Sequence, residues 1–339
     1  MGSILITGGA GFIGVNAALY FAQQGYDVTI LDNLSRRGAD ENLAWLGSQV
    51  QYGFEKADIR DRDRVDEIVR NLSPDVLLHL AAQVAVTTSV TDPREDFEIN
   101  AWGTFNLLDA VRLHSPGTLF MYASTNKVYG KMEDMGTVER NGRYEYRDLP
   151  GGVSEEQHLD FHSPYGCSKG TADQYVTDFS RIYGLKTVVF RQSCIYGPRQ
   201  FGIEDQGWVA WFIIASLLDK QITVYGDGKQ IRDVLHVQDL VRLYEMAVRQ
   251  QEAVSGDVFN VGGGPGNTLS LLELLASLKD RLKTDRAPDY GPTRPGDQPV
   301  FVCDIRKAER ILGWKPEIDT ACGVAMLIDW VRENRSLFE

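Results

Sequence analysis

The chain of 339 residues carries 47 acidic against 35 basic side chains, a formal net charge of −12, and is 43% hydrophobic. That hydrophobic share is ample for a packed core, while the acidic balance excludes a role coating nucleic-acid phosphates, which needs a basic field. No apolar run reaches membrane-spanning length and no basic stretch precedes Ile4, so the expectation is a cytoplasmic protein with neither secretory signal nor membrane anchor. Cys167, Cys194, Cys303 and Cys322 are too widely spaced for a zinc knuckle or a small disulfide framework; they read as isolated core thiols, and no metal is expected.

Short apolar runs at Ile4 to Thr7, Val28 to Leu31, Gln51 to Ala57, Val76 to Ala81, Thr118 to Ala123 and Thr187 to Phe190 alternate with helical patterns. These helices are Ile13 to Gln24, Arg62 to Leu72, Asp96 to His114 and Tyr165 to Tyr183. The rhythm predicts an α/β fold, a Rossmann-type doubly wound parallel sheet over residues 1–191. Past Arg191, Gly- and Pro-rich loops separate shorter elements. They predict a smaller mixed C-terminal lobe, 192–236 and 263–339, over the carboxyl edge of the sheet, where such folds bind ligands. Residues 237–262 are expected to return to the sheet as a helix (Val237 to Val248) and a strand (Val258 to Val261). Val324, Leu327, Ile328 and Val331 have the spacing of a packing helix.

Gly8, Gly11 and Gly14 follow the first strand and, with Phe12 and Ile13, open a helix. Backbone N–H groups there can approach a pyrophosphate at the helix N-terminus. The second strand ends in Asp32, 18 residues beyond Gly14, followed by Asn33, Ser35 and Arg36. A carboxylate in that place accepts both ribose hydroxyls and repels a 2′-phosphate. NAD is therefore the expected cofactor, with Arg36 and Arg37 keeping NADP open. Asp58 and Ile59 are read as the adenine wall, with a helix cap as the plainer reading of Asp58. Leu80, Ala81, Ala82 and Gln83, ending the fourth strand, are read as wall where the backbone must come close to the cofactor.

Tyr165 and Lys169 stand four residues apart on a helix that begins after Pro164, so they share a face. An ammonium beside a phenol favours the phenolate, which suits Tyr165 to acid/base work near neutrality. Ser124 and Thr125 end the preceding strand, and either hydroxyl suits hydrogen bonding to a reacting oxygen. Lys127 and the remaining lysines read as solvated.

With these residues in order, the chain resembles the extended short-chain dehydrogenases/reductases over essentially its whole length. The pattern extends to Asn100 with Gly103-Thr104-Phe105-Asn106, to Tyr196-Gly197-Pro198-Arg199-Gln200, and to Arg232 and Arg294-Pro295-Gly296-Asp297. The resemblance implies that Asn100 belongs to the cofactor site. It also implies that Arg232, Arg294 and Asp297 contact the diphosphate and ribose of a nucleotide sugar. Dehydratases of the family carry Asp-Glu where this chain has Asn126-Lys127, which disfavours elimination of water and leaves an epimerase or a decarboxylase. Asp160 to Gly170 and Asp205 to Val209 resemble members that invert C2 of a CDP-linked hexose through a transient ketone. That resemblance adds Asn126, His162, Gln206 and Trp208 as candidate sugar contacts, and it implies a homodimer or homotetramer. A UDP-sugar 4-epimerase and a non-catalytic NAD-binding regulator are the alternatives.

Overall fold

Period-two alternation of apolar residues directs neighbouring side chains to opposite faces of a strand, and here both faces are buried. Ile4, Ile6, Val28, Ile30, Leu119 and Met121 enter one core with Val15, Ala18 and Phe21 of helix Phe12–Gln23 and Leu240, Val241 and Tyr244 of helix Val237–Arg249. Leu5, Leu31, Phe120 and Tyr122 enter a second core with helices Arg62–Leu72, Gly103–His114 and Ser163–Tyr183. Continuous burial of this kind belongs to parallel sheets with helices on both sides.

The computed structural model describes residues 2–132, 134–283, 287–294 and 297–339. Its main sheet has seven parallel strands in the spatial order Asp257–Val261, Thr187–Gln192, Leu119–Thr125, Val76–His79, Ser3–Thr7, Asp27–Asp32 and Gly53–Lys56. The expected doubly wound α/β fold is present. Chain order reverses on either side of Ser3–Thr7, the switch point outside which such sheets open a ligand crevice. Registers Thr7↔Leu31, Thr7↔His79 and Thr125↔Gln192 bring the carboxyl ends of these strands to one edge. Strand Asp257–Val261 follows helix Val237–Arg249 into the sheet as its edge strand.

A smaller mixed sheet is built around Ile231–His236, which pairs antiparallel with Thr268–Ser270 and parallel with Val300–Phe301 and Cys194–Tyr196. Helices Trp208–Leu217, Leu271–Leu282 and Thr320–Glu333 enclose a third core that buries Val324, Leu327, Ile328 and Val331 as their spacing predicts.

The stretch expected as one helix from Asp96 to His114 is three pieces: Pro93–Phe97, a π-turn at Glu98–Trp102, and Gly103–His114. The π-turn carries Asn100, whose side-chain amide donates to Gln83 O (2.9 Å) and Asp96 Oδ1 (3.1 Å). Of the four cysteines, only Cys303 is a core thiol; Cys167 and Cys322 are exposed and Cys194 is half-buried, all free of disulfides. Among the described residues, no helix is long and apolar enough to cross a membrane, and no His, Cys, Asp and Glu cluster suits a metal.

Candidate active site

The crevice at the carboxyl edge is a cleft of about 490 Å³ reaching from the glycine turn to Tyr165 and on to Trp208. At its floor Gly8 has φ +69°, a conformation that disfavours side chains. A Cβ on Gly8 would fall 2.6 Å from Ala81 N, and one on Gly14 would fall 2.3 Å from Gly8 O. Helix Phe12–Gln23 starts at Gly11 with no side-chain cap, so its leading N–H groups are available to an anion.

Asp32 anchors the second strand's end by accepting from Ala10 N (3.0 Å, Oδ2) and Leu34 N (2.8 Å, Oδ1). Burial raises its pKa, against the pull of those N–H donors and Arg36. Each carboxylate oxygen keeps a lone pair for a diol hydroxyl. Asp58 accepts from Arg60 (2.8 Å) and Asn33 Nδ2 (2.9 Å), and Arg60 holds its pKa down to about 2. It does not cap a helix, since Asp61 fills that role for Arg62–Leu72. Phe12, Ile13, Asn33, Ser35, Arg36, Ile59, Leu80, Ala81 and Ala82 complete this half of the wall. A close-approach turn, an uncapped helix N-terminus and a carboxylate at the next strand end fit a dinucleotide.

Thr125, Tyr165 and Lys169 line the same cleft. Helix Ser163–Tyr183 has Pro164 in its first turn, where the missing N–H costs nothing. Burial pushes the Tyr165 phenol up to about 12, partly offset by a hydrogen bond with Thr125; Asp96 adds to the rise and Arg36 opposes it. Lys169, expected to depress it, is not among the groups that set this pKa. Lys169 Nζ donates to Ala123 O (2.6 Å) and sits 4.3 Å from the centre of the Tyr122 ring. Burial lowers its own pKa to about 7, against Asp173 and Asp96. Ser124, expected beside Thr125 as a reacting-group partner, instead donates to buried Asp173 Oδ2 (2.7 Å).

Toward the outer half, Asn126, Gln206 and Trp208 line the cleft. The Trp208 indole N–H is buried without a hydrogen-bond acceptor among the described residues, and Arg36 bridges the two halves by donating to Gln206 Oε1. Six expected contacts stand outside the wall. Gln83 and Asn100 are spent on each other and on Asp96. His162, the residue before the helix, caps nothing with its ring and pairs with Asp160 (2.8 Å). Arg232 is buried against Asp297 (2.5 Å), a salt bridge that uses the charge expected to meet a diphosphate. Arg294 pairs with Asp205 (2.8 Å) and lies over the Tyr225 ring. Pro295 and Gly296 of that motif lie outside the described residues.

The cleft also takes in Lys127, which read as solvated, and Gln192, Ser193 and Cys194 at the end of the sixth sheet strand. The signal for the last three was their place just past a parallel strand, where such folds put ligand contacts.

The profile of the GDP-mannose 4,6-dehydratase family matches residues 5–327. Over 332 residues the chain is 47% identical to CDP-paratose 2-epimerase of Salmonella typhi, covering 96% of this chain and 98% of that one. The structure superposes on the UDP-glucose 4-epimerase of Thermotoga maritima, determined with UDP-glucose, with a TM-score of 0.84 and 32% identity over 98% and 99% of the two chains. For the Thermus thermophilus UDP-glucose 4-epimerase in complex with NAD the TM-score is 0.79, with 31% identity over 97% and 99%.

Proposed function

The chain belongs to the GDP-mannose 4,6-dehydratase family, within the extended short-chain dehydrogenases/reductases, and we propose that it is an NAD-dependent epimerase inverting C2 of a CDP-linked hexose, CDP-paratose first among candidates. The observation that carries the reading is whole-length identity of 47% to a CDP-paratose 2-epimerase. A cleft that places Thr125 and Tyr165 opposite a dinucleotide cradle supports it.

The glycine turn and the start of helix Phe12–Gln23 would hold the NAD pyrophosphate, and Asp32 would hold the adenosine ribose. The chemistry NAD would supply when bound is hydride transfer from C2 and back to it. As the phenolate, Tyr165 takes the proton of the C2 hydroxyl in the first half-reaction, becoming the phenol, and returns it in the second. Thr125 holds the same oxygen through its hydroxyl. Lys169, its Nζ held by Ala123 O, lines the same cleft and, when protonated, adds positive charge there. Asn126 and Lys127 replace the paired carboxyl groups that elimination of water needs, so the sugar leaves with its oxygens intact.

A row of aromatic contacts, Trp102, Phe105, Tyr175, Phe179 and Tyr183, runs across two neighbouring helices. Trp102, Tyr175 and Tyr183 are exposed, which supports a second copy of the chain as partner. Four free cysteines agree with a reducing cytoplasm.

Incubation of the purified protein with CDP-paratose, CDP-glucose and UDP-glucose, followed by proton NMR, tests the reading. C2 epimers from a CDP-sugar are expected; C4 epimers from UDP-glucose alone would favour the 4-epimerase, and no turnover of any donor the regulator.

A further inference from the structure

Lys127 lies in the 3₁₀ turn Asn126–Tyr129 directly after the strand that ends in Thr125. Its backbone is wedged between the two proton-handling residues. Lys127 N donates to Thr125 Oγ1 (3.2 Å), and a Cβ on Gly166, the neighbour of Tyr165, would fall 3.3 Å from Lys127 O. The side chain lines the cleft beside Cys194.

The charges around this ammonium do not balance. The groups that act on it are Arg232, Asp297 and Cys194, and Asp297 already serves Arg232. Burial keeps the Cys194 thiol up and neutral. Two cations therefore share one carboxylate, and among the described residues the Lys127 ammonium has neither a hydrogen-bond acceptor nor an ion-pair partner. Lys127 is only half-buried and faces the cleft, so water there solvates its ammonium. An anionic ligand replaces that water with an opposite charge.

Substrate chemistry identifies the anion. In a nucleoside diphosphate hexose only C1 and the bridging oxygen separate C2 from the β-phosphorus, whereas C4 lies two carbons further along the ring. An enzyme that works at C2 must therefore hold phosphate charge close to its proton-handling pair, where it would oppose a phenolate on Tyr165 unless a cation lay alongside. Resting on the nucleotide-sugar reading of the cleft, we propose that Lys127 binds the β-phosphate of the substrate and so sets the reaction at the carbon next to the anomeric centre. The phosphate stays on Lys127 while the ketone turns about the bonds to C1, so a short excursion exposes the other face of C2. Burial and Arg232 hold the free ammonium's pKa down to about 8, and a phosphate restores it.

Calorimetric titration of the full-length protein with CDP, CMP, UDP and UMP tests this, using wild type, Lys127→Met and Lys127→Arg. The wild type is expected to prefer the diphosphate of its own base over the monophosphate. Lys127→Met is expected to cut that preference at least about tenfold while monophosphate affinity stays within about twofold, and Lys127→Arg to recover part of it. An unchanged NAD affinity and melting temperature in Lys127→Met separate this loss from misfolding. A preference that survives Lys127→Met overturns the proposal. A wild type that prefers uridine nucleotides removes the CDP reading alone, because the UDP to UMP ratio then judges Lys127. A wild type that binds no nucleotide removes both.

Discussion

Tyr165 shows how opposing terms set a proton site. Removing the phenol from water favours its neutral form, and the Thr125 hydrogen bond recovers only part of that cost, leaving a pKa of about 12. Tyr165→Phe is expected to lower turnover by about 10²–10⁴-fold with NAD and CDP affinities within a few fold, read by NMR and calorimetry; retention of a tenth of the wild-type rate would remove Tyr165 from proton transfer. The two hydroxyls before it separate cleanly. Ser124 is committed to buried Asp173, so Ser124→Ala is expected to cost about 1–3 kcal/mol of stability with little effect on turnover. Thr125→Ala is expected to slow turnover strongly, with a stability loss of about 1 kcal/mol from the turn cap it gives to Lys127 N. Equal kinetic losses from both would contradict this division. Of the other expected contacts, Arg232 and Asp297 were legible as charged residues of the family pattern, but their mutual salt bridge depends on how two distant segments meet. Lys127 was passed over because a lysine after a strand looks the same in sequence whether it faces water or a cleft.

At the scale of elements, the helix that carries Tyr165 and Lys169 is fastened to the sheet by buried polar groups. Arg191, in the strand beside Leu119–Thr125, donates twice to Asp173 on that helix (2.9 and 3.0 Å), with both side chains at or below 5% exposure. On the other side of the helix, Ser168 donates to Asp96 Oδ2 (2.5 Å) and Asn100 bonds Asp96 Oδ1. Arg191→Met leaves the Asp173 carboxylate buried and unpaired, at an expected cost of about 3–5 kcal/mol, measured by urea unfolding; a loss under about 1 kcal/mol would mean water replaces the arginine. The helix itself was readable from Pro164 and the Tyr165/Lys169 spacing. The π-turn at Glu98–Trp102 was not, because an extra residue in a helical turn leaves the apolar pattern on either side almost unchanged. Helix Ala39–Gln49 escaped for a related reason. It buries only Ala39, Asn42 and Leu46, too few for a stripe.

For the whole molecule, the sheet order followed from alternation of strand and helix, since right-handed crossovers leave few arrangements for such a chain. The smaller sheet was less legible, because its two- to six-residue strands pair across long separations and carry little pattern of their own. Two buried histidines couple this architecture to pH. His79 lies between Thr7 (2.7 Å, Nδ1) and Thr104 (2.9 Å, Nε2). The Thr104 hydroxyl already donates to Asn100 O (2.6 Å), so Nε2 carries the proton and Nδ1 accepts. Burial holds the His79 pKa well below 6.5 and that of His236 down to about 4. Below pH 6.5 the unfolded chain therefore binds protons that the folded chain refuses, and stability falls as pH drops toward 4. Asp233, raised to about 6 by burial, acts oppositely between about pH 6 and 3.8. The net expectation is a loss on the order of 1–3 kcal/mol between pH 7 and pH 5. Unfolding midpoints that stay level or rise over that range would contradict it.

Inversion by the proposed mechanism requires that one hydride leave C2 and return to C2. A CDP-hexose deuterated at C2, incubated with the protein in ordinary water and followed by NMR, tests it most directly. The expected product is the C2 epimer with its deuterium retained at C2. Epimer formed with loss of deuterium to water, or inversion at C4 with C2 untouched, would contradict it.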